Sequence, residues 1–248
     1  MIMKNFFTIL GGMGTLATES FIHVLNERTP IHSDQDYLNY LLVNHATVPD
    51  RTDFILGKTK DDPSLAIKED IQQYSHFQPD FFVLTCNTAH HFFDKLQEET
   101  DIPILHMPRL AVEVVNQKFA KTSGKTRVGL LATEGTIQTK VYENELMKFD
   151  NLEVILPDAT VQQEVTNLIY RDVKENHFCN EELFYQILQQ MTEKYACDVI
   201  ILGCTELSLV QEFTQNKKYP VVDAQSELAD ETIRRALRNR EEPEKKAT

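Results

Sequence analysis

Short runs of apolar, β-branched and aromatic residues punctuate the chain at 6–10, 40–43, 81–85, 104–106, 128–131, 152–156, 199–202 and 221–222. Between them lie longer stretches of helical composition. Strands alternating with helices predict parallel sheets assembled from βαβ units, here in two groups of four. The runs at 81–84 and 199–202 are apolar at every position, not at alternate ones, which predicts strands buried on both faces. Helices starting near Arg109 and near Gln225 follow the last strand of each group and are expected to tie the halves together. The end of the chain, 241–248, contains Pro243 and mixed charge and reads as a solvated tail.

The second group repeats the first in order. Thr8-Ile9-Leu10-Gly11-Gly12-Met13-Gly14-Thr15 is echoed by Val128-Gly129-Leu130-Leu131-Ala132-Thr133-Glu134-Gly135-Thr136, and the Gly-Thr steps lie 121 residues apart (136 minus 15). Cys86 and Cys204 are 118 apart (204 minus 86), and Ile102-Pro103-Ile104 and Tyr219-Pro220-Val221 are 117 apart (220 minus 103). A nearly constant offset indicates an internal duplication. The expected fold is therefore α/β, with two pseudo-symmetric three-layer lobes built on mainly parallel four-stranded sheets. One lobe comprises residues 1–107 and 224–248 and the other 108–223. The carboxyl edges of the two sheets, where open α/β folds bind ligands, would then face each other across a cleft.

The composition belongs to an ordinary globular protein: 248 residues, 42% hydrophobic and 25% charged, enough for one large α/β domain or two lobes. A net charge of −13 without any Lys/Arg-rich block argues against nucleic acid or an anionic membrane surface as partner, and leaves room for a small anionic substrate. No run approaches the ~18 apolar residues of a membrane span. The run at 6–10 leads into glycines and not a signal-cleavage site, so a cytoplasmic protein is expected. Four cysteines without CxxC spacing fit neither a zinc site nor a disulfide framework. They are thiols available for packing or chemistry, and Cys179 and Cys197 are assigned to packing.

Cys86 and Cys204 differ from those two. Each closes a buried strand, and each is followed by polar residues, Asn87-Thr88 and Thr205-Glu206, where a helix should open. A single buried cysteine is ordinarily a small hydrophobe. A helix N-terminus, however, stabilises a thiolate and an anionic carboxylate alike. Matched thiols in duplicated lobes predict a pair of acid/base groups facing one substrate. The reaction that needs such a pair is inversion of an amino-acid α-carbon, one thiolate removing the proton and one thiol returning a proton on the other face. Backbone N–H groups in a desolvated cleft would hold the charge that develops.

Gly12-Met13-Gly14-Thr15-Leu16-Ala17 formally fits the dinucleotide fingerprint, but the acidic residue expected after the next strand is missing from Val43-Asn44-His45. A glycine turn that brings backbone N–H groups to a small carboxylate is the better reading. Arg51 follows the second strand and reads either as a loop arginine beside Asp50 or as a bidentate grip on a carboxylate. Lys174 lies in a charge cluster, His90 and His91 read as helix-end residues, and Glu134 and Glu206 suit helix starts for structural reasons alone.

Taken together, Gly11-Gly12-Met13-Gly14, Val48-Pro49-Asp50-Arg51-Thr52, Cys86-Asn87-Thr88-Ala89-His90, Thr133-Glu134-Gly135-Thr136 and Gly203-Cys204-Thr205-Glu206-Leu207 resemble the aspartate/glutamate racemase family, the pyridoxal-phosphate-independent amino-acid racemases. The resemblance runs over about residues 6–223. It implies a cleft with one catalytic cysteine from each lobe, no cofactor, no metal and a homodimer. By motif, Cys86 and Cys204 would be the acid/base pair, and Met13, Asn87, Thr88, Thr133, Thr205 and Glu206 would line the α-carboxylate and amino side. Arg51 and Lys174 would hold a distal carboxylate, as in aspartate-preferring members. Thr15 stands where members often have proline, and Glu206 stands where cell-wall glutamate racemases carry histidine, which sets that subgroup aside. Rival readings are a broad-specificity amino-acid racemase, a cysteine-dependent isomerase or decarboxylase of small dicarboxylates, a non-catalytic metabolite-binding module and, last, a nucleotide-binding oxidoreductase.

Overall fold

Every one of the eight apolar runs becomes a strand in the computed structural model, which describes residues 3–241. The first four are β1 (Phe6–Gly11), β2 (Asn39–Asn44), β3 (Phe82–Leu84) and β4 (Ile104–Leu105), in the spatial order β2-β1-β3-β4. The others are β5 (Thr126–Ala132), β6 (Leu152–Ile155), β7 (Val199–Gly203) and β8 (Val221–Asp223), in the order β6-β5-β7-β8. All neighbours are parallel, so the two sheets have the same topology and β1/β5 and β3/β7 occupy equivalent places.

Helices make the crossovers. In the first half they are α1 (Thr15–Arg28), α2 (Arg51–Ile55), α3 (Pro63–Ser75) and α4 (Phe93–Gln97), and α5 (Met107–Phe119) leads into the second half. There follow α6 (Glu134–Gln138), α7 (Val141–Leu146), α8 (Ala159–Thr166), α9 (Glu181–Glu193), α10 (Thr205–Thr214) and α11 (Ala224–Glu241), with a π-helix at Asn167–Glu175 continuing α8. Among the described residues no helix is long and apolar enough to cross a membrane. The greater part of the expected solvated tail, 242–248, lies outside the described residues.

Strand periodicity divides the core into three layers. In β3 and the residue before it, Phe81 and Val83 point to one face, and Phe82 and Leu84 to the other. In β7, Val199 and Ile201 point to one face, and Ile200 and Leu202 to the other. The first face of each sheet belongs to one shared cluster, into which α5 inserts Ala111, Val112 and Val115 and α11 inserts Leu228 and Ala229. The expected connecting helices thus start at Met107 and Ala224, and they pack on each other between the sheets. Where α2 meets α6, a Cβ on Gly135 would stand 2.9 Å from the Thr52 Cα, so only glycine allows this approach of the two halves.

One local expectation is corrected. The segment after Cys86 opens no regular α-helix but a five-residue 3-10 turn, Thr88–Phe92. The Cys86 carbonyl, which an α-helix would pair with the N–H four residues on, accepts instead from the His90 ring Nδ1 at 2.8 Å, while the His90 N–H turns to the Asn87 carbonyl at 3.1 Å. His90 Nε2 in turn accepts the Met107 N–H at 3.1 Å. Burial, the main influence, lowers this histidine's pKa to about 4, so it is a neutral structural bracket between the Cys86 loop and the start of α5.

Candidate active site

The site is assembled from the carboxyl ends of β1, β3, β5 and β7. After β1 the chain turns at Gly12, whose φ of +88° and whose approach to the His45 backbone, 2.5 Å from an added Cβ, exclude any side chain. Thr18 holds this turn, its hydroxyl accepting from the Gly12 N–H and donating to the Gly14 carbonyl, both at 3.0 Å. Thr15 takes the first helical position, where proline is also at home, and its hydroxyl reaches Asn44. A Cβ on Gly14 would lie 2.9 Å from Glu206 Oε1, so the glycine turn of the first half presses directly on a carboxylate of the second.

Cys86 and Cys204 open into one cavity. Both are buried, and Cys204 is the extended N-cap residue of α10, so that the free N–H groups of that helix begin at the thiol. The cavity has a water-accessible volume of about 10 Å³, room for roughly one water. Met13, Arg51, Asn87 and Thr88 line it from the first half, and Thr133, Lys174, Thr205 and Glu206 from the second. The structure thus gathers all ten side chains expected at the site. Beyond a neck formed by Met13, Asp50, Arg51, Lys174 and Glu206 lies a vestibule of about 370 Å³ whose walls include Leu16, Val48, Val173 and Leu209.

Arg51 is not the surface residue its loop position allows. It is buried, Nη1 donating to the carbonyls of Val48 and Pro49 (3.3 and 2.9 Å) and Nη2 to that of Met13 (3.0 Å). Its Nε–H is buried without a partner. Burial works against its charge, but the neighbouring Cys86 sulfur and Asp50 carboxylate outweigh this and raise its pKa. Asn87 presents a second unpartnered buried donor, Nδ2, while its Oδ1 accepts from the Tyr142 hydroxyl. Two unpartnered buried N–H donors on residues that line one cavity are costly unless an acceptor meets them, and a substrate carboxylate supplies one.

The second half supplies a carboxylate and a cation that pair with each other. Glu206 Oε2 accepts from the Cys204 thiol at 2.9 Å and from the Thr205 hydroxyl at 3.3 Å. Its Oε1 pairs with Lys174 Nζ at 3.5 Å, and Lys174 also lies 4.7 Å above the Tyr170 ring. The π-helix brings Tyr170 and Lys174 to this face together. Burial and then the Glu206 charge push the Cys204 pKa well up, with Lys174 opposing, so Cys204 rests as a thiol. Burial works against the Lys174 charge, but the Glu206 carboxylate outweighs it and Lys174 stays charged.

Hydroxyls join the halves at the floor. Thr133 caps α6 through the Thr136 N–H and meets Thr52 and Thr88 at 3.2 Å each, and Thr88 meets Thr136 at 2.9 Å. Asp50, Thr52 and Tyr170 line the cavity without having been expected there. Asp50 and Thr52 flank Arg51 in the quoted motif, which was a usable signal. A lone tyrosine on a charged helix offered none. Cys197 and Cys179 stay outside the cavity. Burial raises both pKa values, that of Cys197 to about 11, as befits packing thiols. Among the described residues no group of three or more His, Cys, Asp or Glu is placed to hold a metal ion.

Residues 10–232 match the family model of Asp/Glu/Hydantoin racemases. The chain is similar to the broad specificity amino-acid racemase RacX of Bacillus subtilis (strain 168), at 28% identity over 228 residues covering 91% of this chain and 95% of that one. It is also similar to the solved Picrophilus torridus aspartate racemase, with a TM-score of 0.76, 27% identity and 94% of each chain covered. The glutamate racemase from Francisella tularensis subsp. tularensis SCHU S4 in complex with D-glutamate shares the fold, with a TM-score of 0.64 at 18% identity over 94% of this chain and 81% of that one.

Proposed function

We propose, from the premise that this chain belongs to the Asp/Glu/Hydantoin racemase family and is an amino-acid racemase, that it inverts the α-carbon of an acidic amino acid, aspartate ahead of glutamate, without a cofactor. The observation that carries the mechanism is the single cavity into which both strand-end thiols open, with the unpartnered donors of Arg51 and Asn87 beside them. In this reading Cys86 belongs to the lobe of residues 1–107 and the C-terminal helix, Cys204 to that of residues 108–223, and the α-carbon comes between the sulfurs when the cavity, here large enough for roughly one water, widens to admit the substrate.

One sulfur, as thiolate, takes the α-proton, and the bonding pair moves toward the carboxylate. The other, as thiol, gives its proton to the opposite face. The enzyme is left with the sulfur that acted as base protonated and the sulfur that acted as acid ionised, which is the form that acts on the product enantiomer. The Asn87 amide, the cavity hydroxyls and the N–H groups at the start of α10 stabilise the carboxylate as charge builds on it. Cys204 holds its proton against Glu206, so in the resting form Cys204 is the acid of the pair. Arg51 meets the distal carboxylate through its Nε edge, the side its backbone contacts leave open.

A second reading, broad specificity, draws on two observations. Glu206 already neutralises Lys174, and the neck opens into a vestibule with apolar walls that suits longer side chains. The deciding experiment incubates the purified protein with single enantiomers of aspartate, glutamate and neutral amino acids in heavy water. The α-proton is followed by NMR and the enantiomer ratio by chiral chromatography. Exchange and inversion of aspartate are expected. Faster turnover of a neutral amino acid favours the second reading, and neither exchange nor inversion of any amino acid overturns the racemase assignment.

Glu206→Gln tests the resting state. Enantiomers have equal free energy, so kcat/KM is the same in both directions at every pH, and its bell-shaped profile belongs to the pair of thiols. The alkaline limb marks loss of the pair's last proton, which is the one Cys204 retains. A raised pKa keeps that proton to higher pH. Removing the carboxylate that raises it, while Lys174 stays, lowers the Cys204 pKa. The alkaline limb should therefore move to lower pH in Glu206→Gln, as read from kcat/KM profiles. An unmoved limb shows that Glu206 does not hold the thiol proton.

A further inference from the structure

We infer that Tyr142 is a positioning residue for this reaction: it braces the two cysteine loops against each other and decides which end of the Asn87 amide faces the substrate. The inference rests on the racemase reading and goes one side chain beyond the cavity wall, which Tyr142 does not itself line.

Tyr142 projects from α7 and is fully buried in the cluster shared by the two sheets. Its ring packs over Gly203, the residue before Cys204, where an added Cβ would stand 3.1 Å from the ring Cε2. Its hydroxyl donates to Oδ1 of Asn87, the residue after Cys86 and 55 positions away in the chain. One rigid side chain therefore contacts the neighbour of each thiol, and it does so across the junction of the two halves. Burial, with the Asp223 carboxylate adding to it, raises the tyrosine pKa well above its ordinary value, so the hydroxyl remains a donor.

A primary amide can present either its oxygen or its NH2 to a ligand, and the two orientations are nearly equal in shape. At Asn87 the hydroxyl breaks that tie, because a reversed amide would leave the buried O–H proton without the acceptor it has in Oδ1. With Oδ1 occupied, the buried Nδ2 is the group turned to the cavity, and it has no partner there. An amide N–H meets a carboxylate oxygen favourably, whereas the reversed amide would set oxygen against oxygen. Without the hydroxyl both orientations are open, and part of the population repels the substrate carboxylate.

Tyr142→Phe keeps the ring and removes only the hydroxyl. The expected result is a KM raised about tenfold, the size of one lost hydrogen bond to a charged group, with kcat reduced less and the thermal midpoint near that of the parent protein. A merely structural role would move both parameters in every background. In an Asn87→Ala background Tyr142→Phe should change KM no further, because the role runs through that amide. Asn87→Asp, which can still accept the tyrosine proton but offers no NH2, should raise KM at least as much as Asn87→Ala. The orientation is read independently of turnover from the side-chain NH2 signals of Asn87 in nitrogen-15 spectra, identified by their loss in Asn87→Ala and expected to shift in Tyr142→Phe. Multiplying effects of the two substitutions, an Asn87→Asp variant with unchanged KM, or unshifted amide signals would each overturn the role of Tyr142. An inactive parent protein would instead overturn the racemase reading, and the amide signals would still decide the brace.

Discussion

Cys86→Ser and Cys204→Ser are each expected to slow inversion by at least ~10²-fold and up to ~10⁴-fold, the range for removal of a general acid or base. A serine hydroxyl occupies almost the same space but does not ionise in the working range, so the fold should survive and the thermal midpoint should change little. The two variants are expected to differ in what remains. Each retains one competent base and should exchange the α-proton of at most one enantiomer with heavy water, and the surviving enantiomer should be opposite in the two. Proton NMR of the α-position combined with chiral chromatography reads both quantities. Full activity in either variant, or exchange of both enantiomers in one of them, would sink the two-base assignment.

Arg51→Ala is expected to raise KM for aspartate roughly 10- to 150-fold, the loss of about 1.5–3 kcal/mol of charge-assisted hydrogen bonding. KM for a neutral amino acid should rise much less. The comparison between substrates is needed because the guanidinium also ties the carbonyls of Met13, Val48 and Pro49 together, and its loss loosens those loops for every substrate. Arg51→Lys should recover charge without the fork and restore only part of the aspartate preference. Steady-state kinetics on the two substrates, with a thermal melt to confirm folding, make the measurement. Equal effects on aspartate and on the neutral amino acid would remove the distal-carboxylate role and favour the broad-specificity reading.

Much of the architecture is legible in one dimension. Phe81 to Leu84 and Val199 to Leu202 are apolar at every position, and strands of that kind must be covered on both faces, which is how β3 and β7 are found. The offset of 118 between Cys86 and Cys204 marks equivalent ends of duplicated units before any coordinate is known. The helix after Cys204 forms where its polar start predicts. The one after Cys86 does not, because His90 captures the Cys86 carbonyl with its side chain, a choice that depends on Met107 arriving from further along the chain to hold the other ring nitrogen.

The site divides in the same way. Motif residues such as Arg51, Asn87 and Thr133 stand next to landmarks, and their identity alone marks them. Tyr142 and Tyr170 stand next to nothing recognisable, since each is one aromatic among ordinary helical positions. Glu206 was visible as a carboxylate two residues from a thiol, but adjacency carries no sign. The 2.9 Å hydrogen bond from Cys204 makes it the holder of the thiol proton, while Lys174 pairs its other oxygen.

The amino-acid sequence by itself determined the strands, the duplication, the strand-end thiols and the glycine turn, because burial periodicity and turn chemistry act between near neighbours. Tertiary structure alone decided the shared central layer, the brace from Tyr142 to Asn87, the partner of Lys174 and the thiol that keeps its proton. Those depend on charges and hydrogen bonds between groups tens of residues apart, whose strength is set by distance and by the water excluded around them.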